Sequence, residues 1–151
     1  MPRKNEQEFL SQVLQGHSDA INMCCLLFKI SQVLDDLIDK DRPVHDIDVV
    51  RSYWDALIYL PENSFYRRHE MSIRPLMAAA LQDWMDATRL EKGHGHHGKH
   101  LAFVLRDQLT SIVIHCAGII GGFDYMQGVS KDIRLHFHED SLSDYMRELE
   151  V

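Results

Sequence analysis

Four aspartates fall within the ten residues QVLDDLIDKD, at Asp35, Asp36, Asp39 and Asp41. Carboxylates are hard oxygen donors, the ligands that Mg²⁺ shares with waters and substrate phosphates. On a helix Asp35 and Asp39 are four apart, so they project together, about 5–6 Å apart at Cβ. Like charges so placed, beside the partial negative charge of a helix C-terminus, cost a few tenths to about 1 kcal/mol each. A divalent ion reverses that sign. The plain alternative is a solvated acidic helix end.

Other polar residues fall at spacings that could join such a site. Asp107, Ser111 and His115 stand at i, i+4 and i+8 of the apolar stretch LRDQLTSIVIHCAGII, with Leu105, Leu109, Ile112 and Cys116 opposite. A polar stripe on an otherwise apolar helix must be satisfied by something. What satisfies Asp107 and Ser111 stays open at this point, whereas His115 also reads as a satisfied core histidine. Asp83 and Asp86 read as a solvated face with Arg89. Arg67 and Arg68, at the start of a helical region, could clamp a phosphate, or pair on the surface with Glu62 or Glu70. Lys29 and Arg106 lie on apolar helices and should each have an acidic partner. His94, His96, His97 and His100 lie in a glycine-rich loop that could bind Zn²⁺ or Ni²⁺ but reads rather as adventitious metal binding or a mobile lid. His136 and His138 read as surface groups.

The elements that would position these residues are helical almost throughout, with no alternating strand pattern of any length. A first helix runs from Glu6 to about Gln15 and stops at Gly16. Ser18 can cap a long second helix to Asp39, whose core stripe is Met23, Leu26, Leu27, Ile30, Leu34, Leu37 and Ile38. Its other face carries Ile21, Cys24, Cys25 and Phe28 and then turns acidic, as in a helix lining a cavity with a charged mouth. Pro43 follows as a breaker. Asp46 can cap a third helix to about Tyr59, LPENS reads as a turn with Asn63 or Ser64 as the next cap, and a fourth region runs to about Leu90, with Pro75 breaking or kinking it and Ser72 as a second cap. EKGHGHHGKH reads as a loop. A fifth helix spans about His100 to Ile120 and stops at Gly121-Gly122. Shorter helices follow at about 131–138 and 142–150.

DDLID matches the DDxxD motif of prenyl diphosphate and terpene synthases, and the chain resembles that isoprenoid synthase superfamily over two helices, about a quarter of its length. The resemblance implies an all-α bundle in which Asp35, Asp36 and Asp39 bind Mg²⁺ bridged to a diphosphate. The stripe Asp107, Ser111, His115 is similar to the second metal motif of terpene synthases, which implies Asp107 and Ser111 as candidate metal ligands, except that His115 stands where Glu is expected and would make a softer site. Members of the superfamily are usually about twice as long, so this chain would form a reduced bundle or share its site across a homodimer. Its general character is also similar to that of small helical proteins encoded by bacteriophages.

Composition bounds the rest. The 151 residues suit one domain, 1–151, with a sizeable core. A net charge of −7 argues against direct nucleic-acid binding through phosphate contacts. Cys24, Cys25 and Cys116, an odd number in apolar helical context, read as reduced core thiols. The N-terminal stretch lacks an apolar signal core, and SIVIHCAGIIGGF is short for a membrane span. A cytoplasmic protein is expected, in the host cytoplasm if viral. The expected fold is all-α, a helical bundle of about five to seven helices, isoprenoid-synthase-like. Three functions compete: Mg²⁺-dependent binding or chemistry on a small-molecule diphosphate; a metal phosphohydrolase of HD type using His45-Asp46 with His17 and Asp107 or Asp124; and a non-catalytic helical interaction protein with an acidic face. A cavity facing Asp35 and Asp39 would favour the first over the third.

Overall fold

A computed structural model describes residues 5–150, and among these the secondary structure is entirely helical. The elements are α1 (Glu6–Val13), α2 (Ser18–Asp39), α3 (Asp46–Trp54) continuing through a π turn (Asp55–Tyr59), α4 (Leu60–Glu62), α5 (Ser64–Gly93), α6 (Gly95–Leu105), α7 (Leu109–Phe137) and α8 (Leu142–Leu149).

Central among them is α2, which touches α1, α3, α5 and α7. Its start is capped by His17, whose Nδ1 accepts the Ala20 N–H at 3.3 Å, so the expected cap Ser18 is instead the first helical residue. His45 likewise precedes α3, and its N–H donates to the Asp48 carboxylate at 3.1 Å. Asn63 caps α5 as expected by accepting the Tyr66 N–H. Its side chain also donates to Asp19 O, which ties the start of α5 to the start of α2. Higher up, Trp84 of α5 meets Asp35 of α2. The two long helices therefore run in the same direction.

Pro75 sits inside α5 without ending it; the irregular backbone is at His69 (φ −118°, ψ 15°), whose carbonyl accepts from Ser72 Oγ. The expected loop at 91–100 is helical. Gly98 explains how: a Cβ there would lie 2.5 Å from His94 Cβ and 2.8 Å from the Leu90 carbonyl. Only a glycine lets α6 fold back this closely on the end of α5. The expected fifth helix is interrupted at 106–108, where Gln108 Nε2 donates to Val104 O and closes the end of α6. The stop expected at Gly121-Gly122 is present, because Gly122 adopts φ 88°, ψ 178°, which side-chain-bearing residues avoid. The helix resumes directly after it.

One core draws residues from α1, α2, α4, α5 and both halves of α7. Leu10, Met23, Ile73, Val113 and Ile133 are fully buried in it. A smaller cluster, Ala87, Ala102 and Tyr145, holds α8 against α5 and α6. The α2 stripe leaves the core before the helix ends: Leu37 and Ile38 are exposed, against expectation. Lys29 is exposed as well, since α2 is covered on fewer sides than its apolar composition suggests. The thiols are free; Cys24 and Cys116 are buried, and contact with Cys116 together with burial raises the Cys24 pKa well above the ordinary thiol value. One window within Gly95–Leu149 is long and apolar enough by composition to cross a membrane, with mean hydropathy 1.4 and 28% of it buried.

Candidate metal centre

The C-terminus of α2 brings the acidic residues together in a pattern that differs from DDxxD. Asp35 and Asp39 share a face, as their spacing requires. Lys40 then adopts a left-handed conformation (φ 58°, ψ 29°), with its N–H donating to Asp36 O at 2.9 Å. Such a backbone costs a non-glycine residue roughly 1–2 kcal/mol. It turns the chain so that Asp41 comes back over the helix end. One oxygen from each of Asp35, Asp39 and Asp41 then lies within 4.8 Å of the others. Asp36 is not in this group: its Oδ1 accepts from Gln32 Nε2 at 3.0 Å along the same helix. Neighbouring positions on a helix are rotated by about 100°, so Asp36 cannot share the face of Asp35 and Asp39. Asp41, named only as part of the acidic run, takes the third place.

The electrostatics are those of crowded anions. Burial first, and then the hydrogen bond and charge of Asp35, push the Asp39 pKa up to about 6, with Asp41 adding to the shift and Arg106 opposing it. Trp84 Nε1 donates to Asp35 Oδ1 at 3.3 Å. Arg106 Nη2 lies 3.7 Å from Asp39 Oδ2 and 2.7 Å from Glu91 Oε2, and its guanidinium sits 5.6 Å from the Tyr145 ring centre. Burial works against the Arg106 charge, but Glu91, Tyr145, Asp39 and Asp35 outweigh it and raise its pKa. The expectation of an acidic partner for Arg106 is met twice. Four elements converge here: the ends of α2 and α5, the α6–α7 break, and α8.

The remaining candidates lie elsewhere. Because α7 begins at Leu109, Asp107 stands in the break and not on a common helical stripe with Ser111 and His115. Asp107 Oδ2 lies 3.5 Å from His138 Nδ1. Ser111 is half-buried in the first turn of α7. His115 Nε2 pairs with Ser72 Oγ at 2.9 Å, and burial, then the neighbouring His69, hold its pKa below the usual value. It is a satisfied histidine. Arg67 and Arg68 are exposed at the start of α5, beside the start of α2. At 1.5 Å per residue, Arg67 lies roughly 25 Å along α5 from Trp84. Neither arginine can reach a phosphate held at Asp35 and Asp39.

His94, between α5 and α6, and His96, His97 and His100 on α6 are exposed. Among the described residues, the one group of three or more metal-capable side chains within reach of one another is Asp35, Asp39 and Asp41. His136 and His138 are not surface groups: His136 stacks on Phe9 at 3.8 Å, and both are half-buried. His45 and Asp46 are exposed at the start of α3, so the HD arrangement gains no support. Two shallow clefts, of about 420 and 370 Å³, are lined by α5 (Glu70, Met71, Arg74, Pro75, Ala78) and by α1 with the start of α2; neither includes the acidic group.

What the geometry defines is an all-α protein with a carboxylate cluster at the end of its central helix. The chain matches no protein-family model, no curated protein and no solved structure.

Proposed function

We propose that this protein binds a hard divalent cation, Mg²⁺ in the first instance, through Asp35, Asp39 and Asp41, and through it a diphosphate-bearing small molecule. The observation that carries the reading is the meeting of three carboxylate oxygens within 4.8 Å. The donor set fits the ion: all oxygen, with no thiolate or imidazole, and waters and phosphate oxygens would complete six-coordination. Burial first, and then the hydrogen bond and charge of Asp35, raise the Asp39 pKa, and a divalent charge would offset that cost. Arg106, 3.7 Å from Asp39, is the side chain placed to meet an anion brought in by the metal. Arg67 and Arg68 have no part in this reading.

Neither cleft described above includes the acidic group, so the reading stops at binding and assigns no step of chemistry. The metal would supply charge neutralisation and a template for the phosphates. The test is thermal stability with Mg²⁺, with and without inorganic diphosphate, for wild type and for Asp35→Ala/Asp39→Ala. Ligand at a hundred times its dissociation constant adds about 2.7 kcal/mol, which for a chain of this size raises Tm by on the order of 5–10 °C. The variant should show no rise. Equal melting of the wild type with and without both ligands would make the aspartates a solvated helix end.

A further inference from the structure

The segment from α3 through the π turn is amphipathic with its apolar side outward. No residue of α3 is buried. The side turned inward carries half-buried Asp48, Val49, Ser52 and Ala56 and buried Asp55. The outward side carries Ile47, Val50, Tyr53, Trp54, Leu57 and Tyr59, each 52–66% exposed. Packing of small and polar groups against α2 with large apolar groups in solvent is the reverse of what a surface helix of a monomer does.

We propose that this face is where a second copy of the same chain docks, helix against helix. Three observations select that occupant. The first is area. Large side chains present roughly 150–250 Å² each, so six at these exposures, with Ile58, offer on the order of 800 Å². That is about what one partner contributes to a standard stable interface, and more than a monomer usually leaves open in one patch.

The second is spacing. On α3, Ile47, Val50 and Trp54 stand at i, i+3 and i+7, the alternating three-four interval of the seam between two packed helices, and Leu57 extends the exposed face into the π turn. A second copy supplies the matching seam. The third is charge. With Ile47 and Val50 as seam positions, Asp46 and Arg51 flank the seam on opposite sides, both exposed. In a parallel pair related by a two-fold axis, Asp46 meets Arg51 of the partner subunit, and the reverse contact follows by symmetry. A membrane surface is a poorer fit: Asp46, Asp48 and a chain charge of −7 are the opposite of the Lys/Arg-rich flank that anionic lipid attracts. The inference is independent of the acidic cluster.

The test is sedimentation of the full chain over a concentration series. Wild type should dimerise in the micromolar range. Val50→Glu and Leu57→Glu alter side chains already in solvent, so circular dichroism and melting of the monomer should be unchanged while the dissociation constant rises by about tenfold or more. Asp46→Arg and Arg51→Asp should each weaken the dimer, and together restore it. A wild type that stays monomeric at about 100 µM, or a dimer indifferent to Val50→Glu and Leu57→Glu, overturns the proposal. So does a monomer that floats with vesicles of mixed zwitterionic and anionic lipid, which would make a membrane the occupant. Failure of the double swap to restore association overturns the parallel arrangement.

Discussion

Asp39 is the residue on which the most physics converges. Its pKa of about 6 lies above the value of about 3.9 it has in an unfolded chain. Folding therefore favours the protonated form. This contribution is fully present below pH 4 and is lost as pH rises through 6. With the side chain 20% exposed and screened by water, the loss is on the order of 1–2 kcal/mol. Asp39→Asn should remove it. In metal-free buffer the variant should be more stable than wild type at pH 7.5 and gain nothing at pH 4, as read from urea midpoints at both pH values. An equal difference at the two pH values would mean that burial and the neighbouring Asp35 do not raise the Asp39 pKa. Mg²⁺ should reverse the ranking at pH 7.5, because the ion needs the ionised carboxylate.

At the scale of elements, two glycines decide how helices meet. Gly98 lets α6 lie against the end of α5, and its Cβ position is already taken by the Leu90 carbonyl and His94 Cβ. Gly98→Ala should therefore force α6 away from α5, at a cost of about 1–3 kcal/mol. The loss would appear as a lower urea midpoint, accompanied by weaker diphosphate binding at the Mg²⁺-loaded site, because Arg106 follows directly after α6. Gly122 has open space around its Cβ position, so Gly122→Ala should destabilise through backbone strain alone, by about 1–3 kcal/mol, with diphosphate binding unchanged. Comparing the two separates packing at the site from strain remote from it. The break at 106–108 acts in the same way at the level of function: it takes Asp107 out of the α7 stripe and turns Arg106 towards Asp39 and Glu91.

For the whole molecule, α8 is the piece that ties the satellite cluster to the acidic site. Tyr145 is 7% exposed, packs with Ala87 and Ala102, and lies beneath Arg106. Tyr145→Ala leaves a hole that two alanines cannot fill, so a loss of about 3–5 kcal/mol is expected. If α8 is held chiefly by this contact, limited proteolysis should cut at 139–141, between α7 and α8, in the variant before any cut in the main core. Cleavage in the variant and the wild type at the same rate would show that α8 is held by other means.

Helical periodicity, breakers and caps were enough to read an all-α chain, the extent of α2, the Asn63 cap and the stop at Gly122, because each rests on residues near one another in sequence. The adjacency of Asp35 and Asp39 was legible for the same reason. Tertiary structure decided the rest. Asp41 joins the cluster through a left-handed turn at Lys40 that no glycine announces, and Asp36 is lost to Gln32 on its own helix. Arg106 and Trp84 reach the site from chain positions far from α2, whereas Arg67 and Arg68, plausible by composition, are carried to the other end by the parallel course of α2 and α5. The glycine-rich stretch at 91–100 looked like a loop because it lacks packing side chains; α6 forms there because a missing Cβ is what close helix packing needs. Burial, too, depended on neighbours: Leu37 and Ile38 fit the core stripe by period, yet they remain 41% and 43% exposed.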